Sequence, residues 1–458
     1  MAYWLEHSLG IAPQISGFGT PNPPTAPAST DADYRWIQGE KPKLTLTTEQ
    51  QELDLMTGQV GAAPERLPGR RHGAITFQMP IEGLKSGYDP TAEDPGDSGV
   101  IPPWFALLAN VLGSQMGASV DTAAKFWNGL HASFSQYTAG VGAASGTIAG
   151  CTSTLIRVFS AVESNKHDGG QLVVAATTAT DTAPQFGWLK TKSGQDLTLF
   201  EATTNTAAAA DDLYGSANAW LSAVNSSQMP VTMAYVGEAT EAAIILEDCI
   251  CNGVKLSGNS GEVATIEFSF EFFNYYHDET NGGLVVPAAF ARVPQLVGNN
   301  NSRATIGGNS TCGLGSWSLE YSATVTPIAC HASTQGISAV RISKPRIAVS
   351  MTIPWQTGAA VFDSAGGAST TGQYYWQSRY ERGVRDSIGL YVGSTVGRLF
   401  ALLLPSALQS AAPQFTDLEG AEGYTLTFEA GSYTGDTSDT AETAANSPLD
   451  SIARFAIA

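Results

Sequence analysis

The sequence predicts a mainly β protein with two tandem domains, each with one helix, and an inserted α+β subdomain in the first. Three observations predict it. Short segments alternate apolar and polar residues with period two, the signature of half-buried strands. A single well-marked helix opens at Pro102-Pro103. The order of strand, hairpin, strand, helix and strands occurs twice along the chain.

The elements follow in order. Residues 1–40 form an N-terminal arm, rich in Pro, Ala, Thr and Gly over residues 12–33 and expected to order only against a neighbour. The first domain spans 41–280. It begins with Leu44 and Leu46 alternating with Thr45 and Thr47, and continues with Ile75, Phe77 and Met79 alternating with Thr76 and Gln78. Between them, Asp54 to Arg71 contains Gly58, Gly61, Pro64, Pro68 and Gly69 and reads as a long hairpin loop. The helix follows, with Trp104, Leu107, Leu108, Val111 and Leu112 at helical spacing and Gly113 as its stop. Residues 121–224 mix helical patches, short strands and Ala/Thr/Asp-rich connectors, and are taken as the insertion, displayed outside. Strands resume at Val231–Val236 and Ala243–Cys251. The turn Gly258-Asn-Ser-Gly261 then leads into Val263–Phe272, where Ala264, Ile266, Phe268, Phe270 and Phe272 share one face and Thr265, Glu267, Ser269 and Glu271 the other. A linker at 281–312, a second domain at 313–445 and a C-terminal tail at 446–458 complete the chain.

The internal repeat rests on three correspondences. Tyr235-Val-Gly237 recurs as Tyr391-Val-Gly393, and Glu262–Phe268 recurs as Glu422–Phe428, with Glu, Thr and Phe in matching places. A strand ending in proline, Ile75–Pro80, recurs as Ile347–Pro354, and a second helix is expected at Tyr374–Arg382.

Composition narrows the function. Of 458 residues, 43% are hydrophobic and only 14% charged, so Thr, Ser, Asn, Gly and Ala must dress the surface, which suits extensive contacts between subunits. With 23 Lys+Arg against 42 Asp+Glu the net charge is -19, which argues against a grip on nucleic acid. The five cysteines, Cys151, Cys249, Cys251, Cys312 and Cys330, show no zinc-type pairing and are expected as reduced, buried thiols. Residues 1–7 lack a basic segment followed by a long apolar one. The longest apolar run, Leu399–Leu404, is too short to cross a bilayer, so a soluble protein made in the cytoplasm is expected.

The segments Gly17-Phe-Gly-Thr20, the Pro-rich arm, Tyr34, Lys41-Pro-Lys-Leu44, Gly69-Arg70 before a strand, Pro102-Pro-Trp104 opening a helix and Val254-Lys-Leu-Ser-Gly-Asn-Ser-Gly-Glu-Val263 occur as an ordered set. That set resembles the tail tube (major tail) proteins of siphophages, the long-tailed non-contractile bacteriophages, in their duplicated variant. It covers most of the first 120 residues and 230–275. The resemblance implies tube-type domains, each a β-sandwich or partly closed barrel with one flanking helix, whose sheets join those of neighbours to line a ring. Six such folds would make each ring, and rings would stack into a channel for genome ejection. With two folds per chain it implies a homotrimer forming a pseudo-hexameric ring. It further implies a virion tail assembled in the host bacterial cytoplasm, with tape-measure, tail terminator and distal tail proteins as partners. DNA would pass without specific binding, with no membrane partner, cofactor, metal or catalytic residue. A tube of a phage-like particle, such as a gene transfer agent or bacteriocin, fits the same residues.

A conduit must not trap phosphate, so Glu267, Glu271 and Glu429 are the candidates for the channel face. Arg66, Arg70 and Arg71 are candidates for meeting carboxylates on the next ring. Other chemistry is weakly announced. The six histidines are scattered. Glu163, Ser164, His167 and Asp168 cluster, but beside turn residues. A glycan-binding surface protein would use Trp188, Trp220 or Trp355 as a stacking platform.

Overall fold

The computed structural model describes residues 7–458 apart from 25–30, 38, 54–64, 86–87, 90, 96, 114–119, 130–132, 135, 137, 139–150, 159–165, 177–184, 202, 204–210, 223–227, 238–242, 280–293, 295–296, 298–301, 308, 311–313, 331–335, 355–371, 394, 419–420 and 434–450. The chain is mainly β, and its sheets are antiparallel.

Strands β1 (His7–Pro13) and β2 (Arg35–Ile37) pair with each other, and Leu9 and Ile11 are buried. The expected free arm is therefore corrected over these residues, because the apolar side chains of β1 find a core within their own chain. The segment between them is tied down as well: the Tyr34 hydroxyl donates to the Asn22 carbonyl at 2.7 Å.

Strands β3 (Lys43–Leu53) and β4 (Glu65–Pro80) form one long hairpin, paired from Lys43↔Thr76 out to Leu53↔Glu65. The expected loop from Asp54 to Arg71 is thus partly strand, and residues 54–64 lie outside the described residues. Pro68 and Gly69 mark a bulge rather than a turn: the register shifts between Thr48 and Gln50, opposite Pro68, where a missing N–H is tolerated.

Helix α1 (Pro103–Leu112) starts with proline in its first turn and stops at Gly113, whose φ of 68° is the left-handed conformation glycine accepts. Trp104 to Leu112 are all buried, as expected of a helix apolar on every side. Helix α2 (Ala123–Trp127) follows, capped by the Thr122 side chain.

Strands β5 (Ser133–Phe134), β6 (Leu155–Arg157), β7 (Leu172–Ala176), β8 (Gln185–Ser193), β9 (Asp196–Leu199) and β10 (Asp212–Tyr214) lie in the insertion. Five of them form a small sheet in the order β10-β7-β8-β9-β6. Strand β11 (Ala217–Ser222) leaves that sheet and pairs with β5.

Strand β12 (Val231–Gly237) pairs with β1. Strand β13 (Ala243–Asn259) changes neighbours halfway along. Its first half pairs with β12 and β15 (Asn274–Asp278), and its second half with β14 (Thr265–Phe272). The change sits at Asp248, whose φ is 55°, and at a bulge between Cys251 and Gly253. β14 pairs in turn with β4, from Thr265↔Pro80 to Phe272↔Gly73.

The expected linker contains strands β16 (Arg303–Ile306) and β17 (Asn309–Ser310), a correction where Ala304 and Ile306 are drawn into the core. Strands β18 (Ser316–Ala329) and β19 (Ile337–Pro354) make a second long hairpin, bulged between Ser322 and Thr324. Helix α3 (Gly372–Glu381) occupies the site of the second predicted helix. Strands β20 (Arg385–Val392), β21 (Phe400–Gln409), β22 (Gln414–Leu418) and β23 (Ala421–Ala430) complete this half. β23 pairs with β19, β22 and the end of β21, and β20 pairs with β21. The expected C-terminal tail holds strand β24 (Ser451–Ile457), which pairs with both β11 and β21. Its sequence Ser-Ile-Ala-Arg-Phe-Ala-Ile is apolar enough to be drawn into the sheet, so the tail is corrected to a core strand.

One apolar core runs through both halves. It lies between the layer β4-β14-β13-β18-β19-β23 and the layer β20-β21-β24-β11, with α1 packed in it. Phe400 of the second layer meets Trp317 of the first and Trp104 of α1, with ring centroids 6.2 and 5.9 Å away. The second layer is buried on its other face too. There Tyr391, Leu399, Ala401, Leu403 and Ala456 pack against Leu172, Val174, Phe186 and Trp188 of the insertion. Burial on both faces explains why Leu399–Leu404 is a continuous apolar run instead of an alternating one. The insertion is therefore seated on the second half of its own chain, not simply displayed outside.

Candidate functional site

The first layer has a polar outer face, built by strict alternation. In β14, Ile266, Phe268, Phe270 and Phe272 are buried while Thr265, Glu267, Ser269 and Glu271 point the other way. Hydrogen-bonded registers align these positions across strands. One row runs Gln78, Glu267, Lys255, Glu320, Ala348, Glu429 through directly opposed residues. The next runs Thr265, Ser257, Ser318, Ser350, Thr427. Hydroxyls bond across the strands, Ser257 with Thr265 at 3.3 Å and Thr427 to Ser350 at 3.4 Å.

Glu267, Glu271 and Glu429, the residues singled out from sequence, are thus brought onto one continuous face. They are accompanied by cations that sequence reasoning did not place there. The Arg346 guanidinium donates from Nε and Nη2 to both oxygens of Glu429, at 2.7 and 2.8 Å, and this pairing raises its pKa. Lys255 Nζ lies 3.8 Å from Glu320 Oε1. Asn252 donates to Glu271 at 2.7 Å. Glu320 was legible in the alternation Ser316-Trp-Ser-Leu-Glu-Tyr-Ser322; that Arg346 shares its face needed the register.

The arginine candidates are not gathered into one surface. Arg66 lies opposite Glu52 in the hairpin register, and its side chain is outside the described residues. The Arg70 guanidinium lies 5.9 Å from the Phe273 ring centroid. Arg71 donates to the Tyr275 carbonyl at 3.2 Å and stacks on that ring. Both are thus engaged with the β14–β15 corner of their own chain.

The layer ends in two open edges. β3 pairs only with β4, and β22 only with β23, among the described residues. Leu46 on β3 and Phe415 on β22 are large apolar side chains left exposed there, and Leu408 on β21, paired between β20 and β23, is exposed as well.

The remaining titratable groups are structural in their surroundings. His167 is buried, its Nε2 3.0 Å from Thr138 Oγ1, and burial, reinforced by Lys166 and Lys192, lowers its pKa to about 3. Asp168 pairs with Lys192 at 2.7 Å, while Glu163 and Ser164 lie outside the described residues. Glu201 is buried and its pKa is raised by desolvation, against hydrogen bonds from Thr305 at 2.7 Å and Ser387 at 2.9 Å. Beside it Arg303 is held between the rings of Phe186 and Tyr391, 4.4 and 4.9 Å from their centroids. Cys249 and Cys251 are buried free thiols, and burial pushes Cys251 up to about 12. No group of three or more His, Cys, Asp or Glu residues able to hold a metal occurs among the described residues. Trp188 and Trp220 are fully buried, which removes both as glycan-stacking platforms, and Trp355 lies outside the described residues.

No protein-family model and no curated protein matches the chain.

Proposed function

We propose that the chain is the structural subunit of a phage tail tube, two tube-type folds in tandem, and that its work is assembly and passive conduction. The observation that carries this is the pairing order. In the first half, β3 pairs with β4, β4 with β14, β14 with β13 and β13 with β12. In the second, β18 pairs with β19, β19 with β23, β23 with β21 and β21 with β20. Each half has a helix between its second and third members, α1 in one and α3 in the other.

The halves are also joined edge to edge. The second half of β13 pairs with β18 from Gly253↔Ser322 to Asn259↔Ser316. A unit joined to its copy by an open edge still has an edge at each end, so the same junction repeats until a ring closes. The polar face of such a ring would carry hydroxyls, carboxylates and neutralised cations, a lining that gives phosphate little to hold. The test is negative-stain electron microscopy of the concentrated protein. Rings or stacked tubes of uniform bore are expected; a protein that stays a lone monomer at high concentration overturns the proposal.

A further inference from the structure

The junction inside the chain serves as a template for the contact between chains, and we propose its register: β22 of one chain pairs antiparallel with β3 of a second copy, Phe415 opposite Leu44. This rests on the tandem reading above and names the edges that the reading leaves open.

The correspondence is fixed by where ladders end. The β4–β14 ladder ends at Pro80↔Thr265 and the β19–β23 ladder at Pro354↔Gly423. With those ends matched, Ile266 corresponds to Tyr424. Leu256, the partner of Ile266, then corresponds to Phe415, the partner of Tyr424. The outer strands agree, because β13 ends at Asn259 where β22 ends at Leu418. On the other side of the template Leu256 faces Leu319, whose partner is Val349. Leu44, whose partner is Ile75, is the matching residue of β3.

Exposure supplies a second observation. Leu256, covered by β18, is 0% exposed, whereas its counterpart Phe415 is 57% exposed. Ile250 pairs with Glu271 and is 3% exposed, clustered with Val325, Val340 and Ile342 of the β18–β19 hairpin. Its counterpart Leu408 pairs with Glu429 and is 36% exposed. Two apolar side chains are therefore bare at the points where the first half is covered by the second. A β3–β4 hairpin of another copy would cover both, as β18–β19 does within the chain. Strand addition supplies main-chain hydrogen bonds, and the two side chains supply the apolar anchor.

The test is disulfide trapping in the full chain. In this register Lys43 lies opposite Thr416, both on the polar face. Opposed residues on antiparallel strands bring Cα atoms within roughly 4.5–5.5 Å, inside disulfide range. Lys43→Cys combined with Thr416→Cys is expected to give chain-to-chain cross-links on a non-reducing gel, with neither single variant doing so. The off-register pair Lys43→Cys with Gln414→Cys should cross-link at least about tenfold less. Independently, Phe415→Glu should lower the assembled fraction at least about tenfold while circular dichroism stays unchanged. Rings that form without the Lys43–Thr416 cross-link, or that survive Phe415→Glu, overturn the register and leave the tube reading standing. A wild-type chain that never assembles overturns both.

Discussion

Glu201 and His167 are buried titratable side chains with opposite linkage to pH. Desolvation raises the Glu201 pKa, so its contribution to stability is present below the unfolded pKa and is lost as pH rises through the folded one. Glu201→Gln keeps an acceptor for Thr305 or Ser387 and removes the charge; its melting temperature is expected to exceed wild type at pH 8 and to converge with it near pH 4. His167 behaves inversely. Its pKa falls from 6.5 to about 3 in the fold, so it contributes stability above pH 6.5 that is lost as pH falls toward 3, on the order of 5 kcal/mol in full. His167→Gln should flatten that acid limb in thermal melts between pH 7 and 4. On the polar face the magnitudes are smaller. The Arg346–Glu429 pair is largely exposed, so Glu429→Gln should change stability by less than about 1 kcal/mol. In the proposed tube its effect would fall on conduction: with Glu320→Gln it removes the carboxylates paired with Arg346 and Lys255. Assembled tubes of the double variant should retain short duplex DNA at low salt and release it as salt rises, while wild-type tubes retain none. Equal retention by both would remove this face from the channel.

At the level of elements, β21 and β23 make contrasting predictions because one is buried on both faces and the other on one. Leu402 faces the core shared with α1 and Leu403 faces the insertion, so alanine at either should cost roughly 2–5 kcal/mol. In β23, Phe428→Ala should cost roughly 3–5 kcal/mol, while Thr427→Ala on the polar face should cost under about 1. Urea denaturation in the Phe415→Glu background keeps assembly out of the measurement. This contrast also explains what was legible in the sequence. Alternation in β14 announced the polar and apolar faces because only one side is buried. The run Leu399–Leu404 gave no alternation, so its two partners were not readable. The tail at 451–457 and the strand at 303–306 went unseen because short apolar segments become strands only when a distant neighbour, β11 or β20, offers an edge. Period two hides slips of two residues as well. The sequence match sets Phe268 on Phe428, whereas matched ladder ends set it on Leu426, and either choice keeps the same side chains on the same face.

For the whole molecule, the count of chains in the proposed ring follows from how the junction repeats. Within one chain the second half is carried onto the first by the β13–β18 ladder, a head-to-tail contact between unlike edges. Such contacts close into a ring only if each step turns by a whole fraction of a circle; otherwise they generate an open helix. If the junction between chains repeats the junction within them, every chain contributes two steps, and a six-unit ring closes with three chains. The insertion marks the difference between three and six. It occurs once per chain, seated on the β20-β21-β24 layer of the second half, with Arg303 held between Phe186 and Tyr391 at the contact. End-on class averages should therefore show a nearly sixfold inner wall and a threefold outer outline, and native mass spectrometry of single rings should give the mass of three chains. Deleting the insertion is not a clean test, since it would bare the apolar outer face of β21. Arg303→Ala is milder: it should loosen the insertion, raising its protease cleavage, while the inner wall keeps its symmetry. Six equal protrusions, or filaments that grow sideways without closing, would mean that the contact between chains does not copy the contact within them.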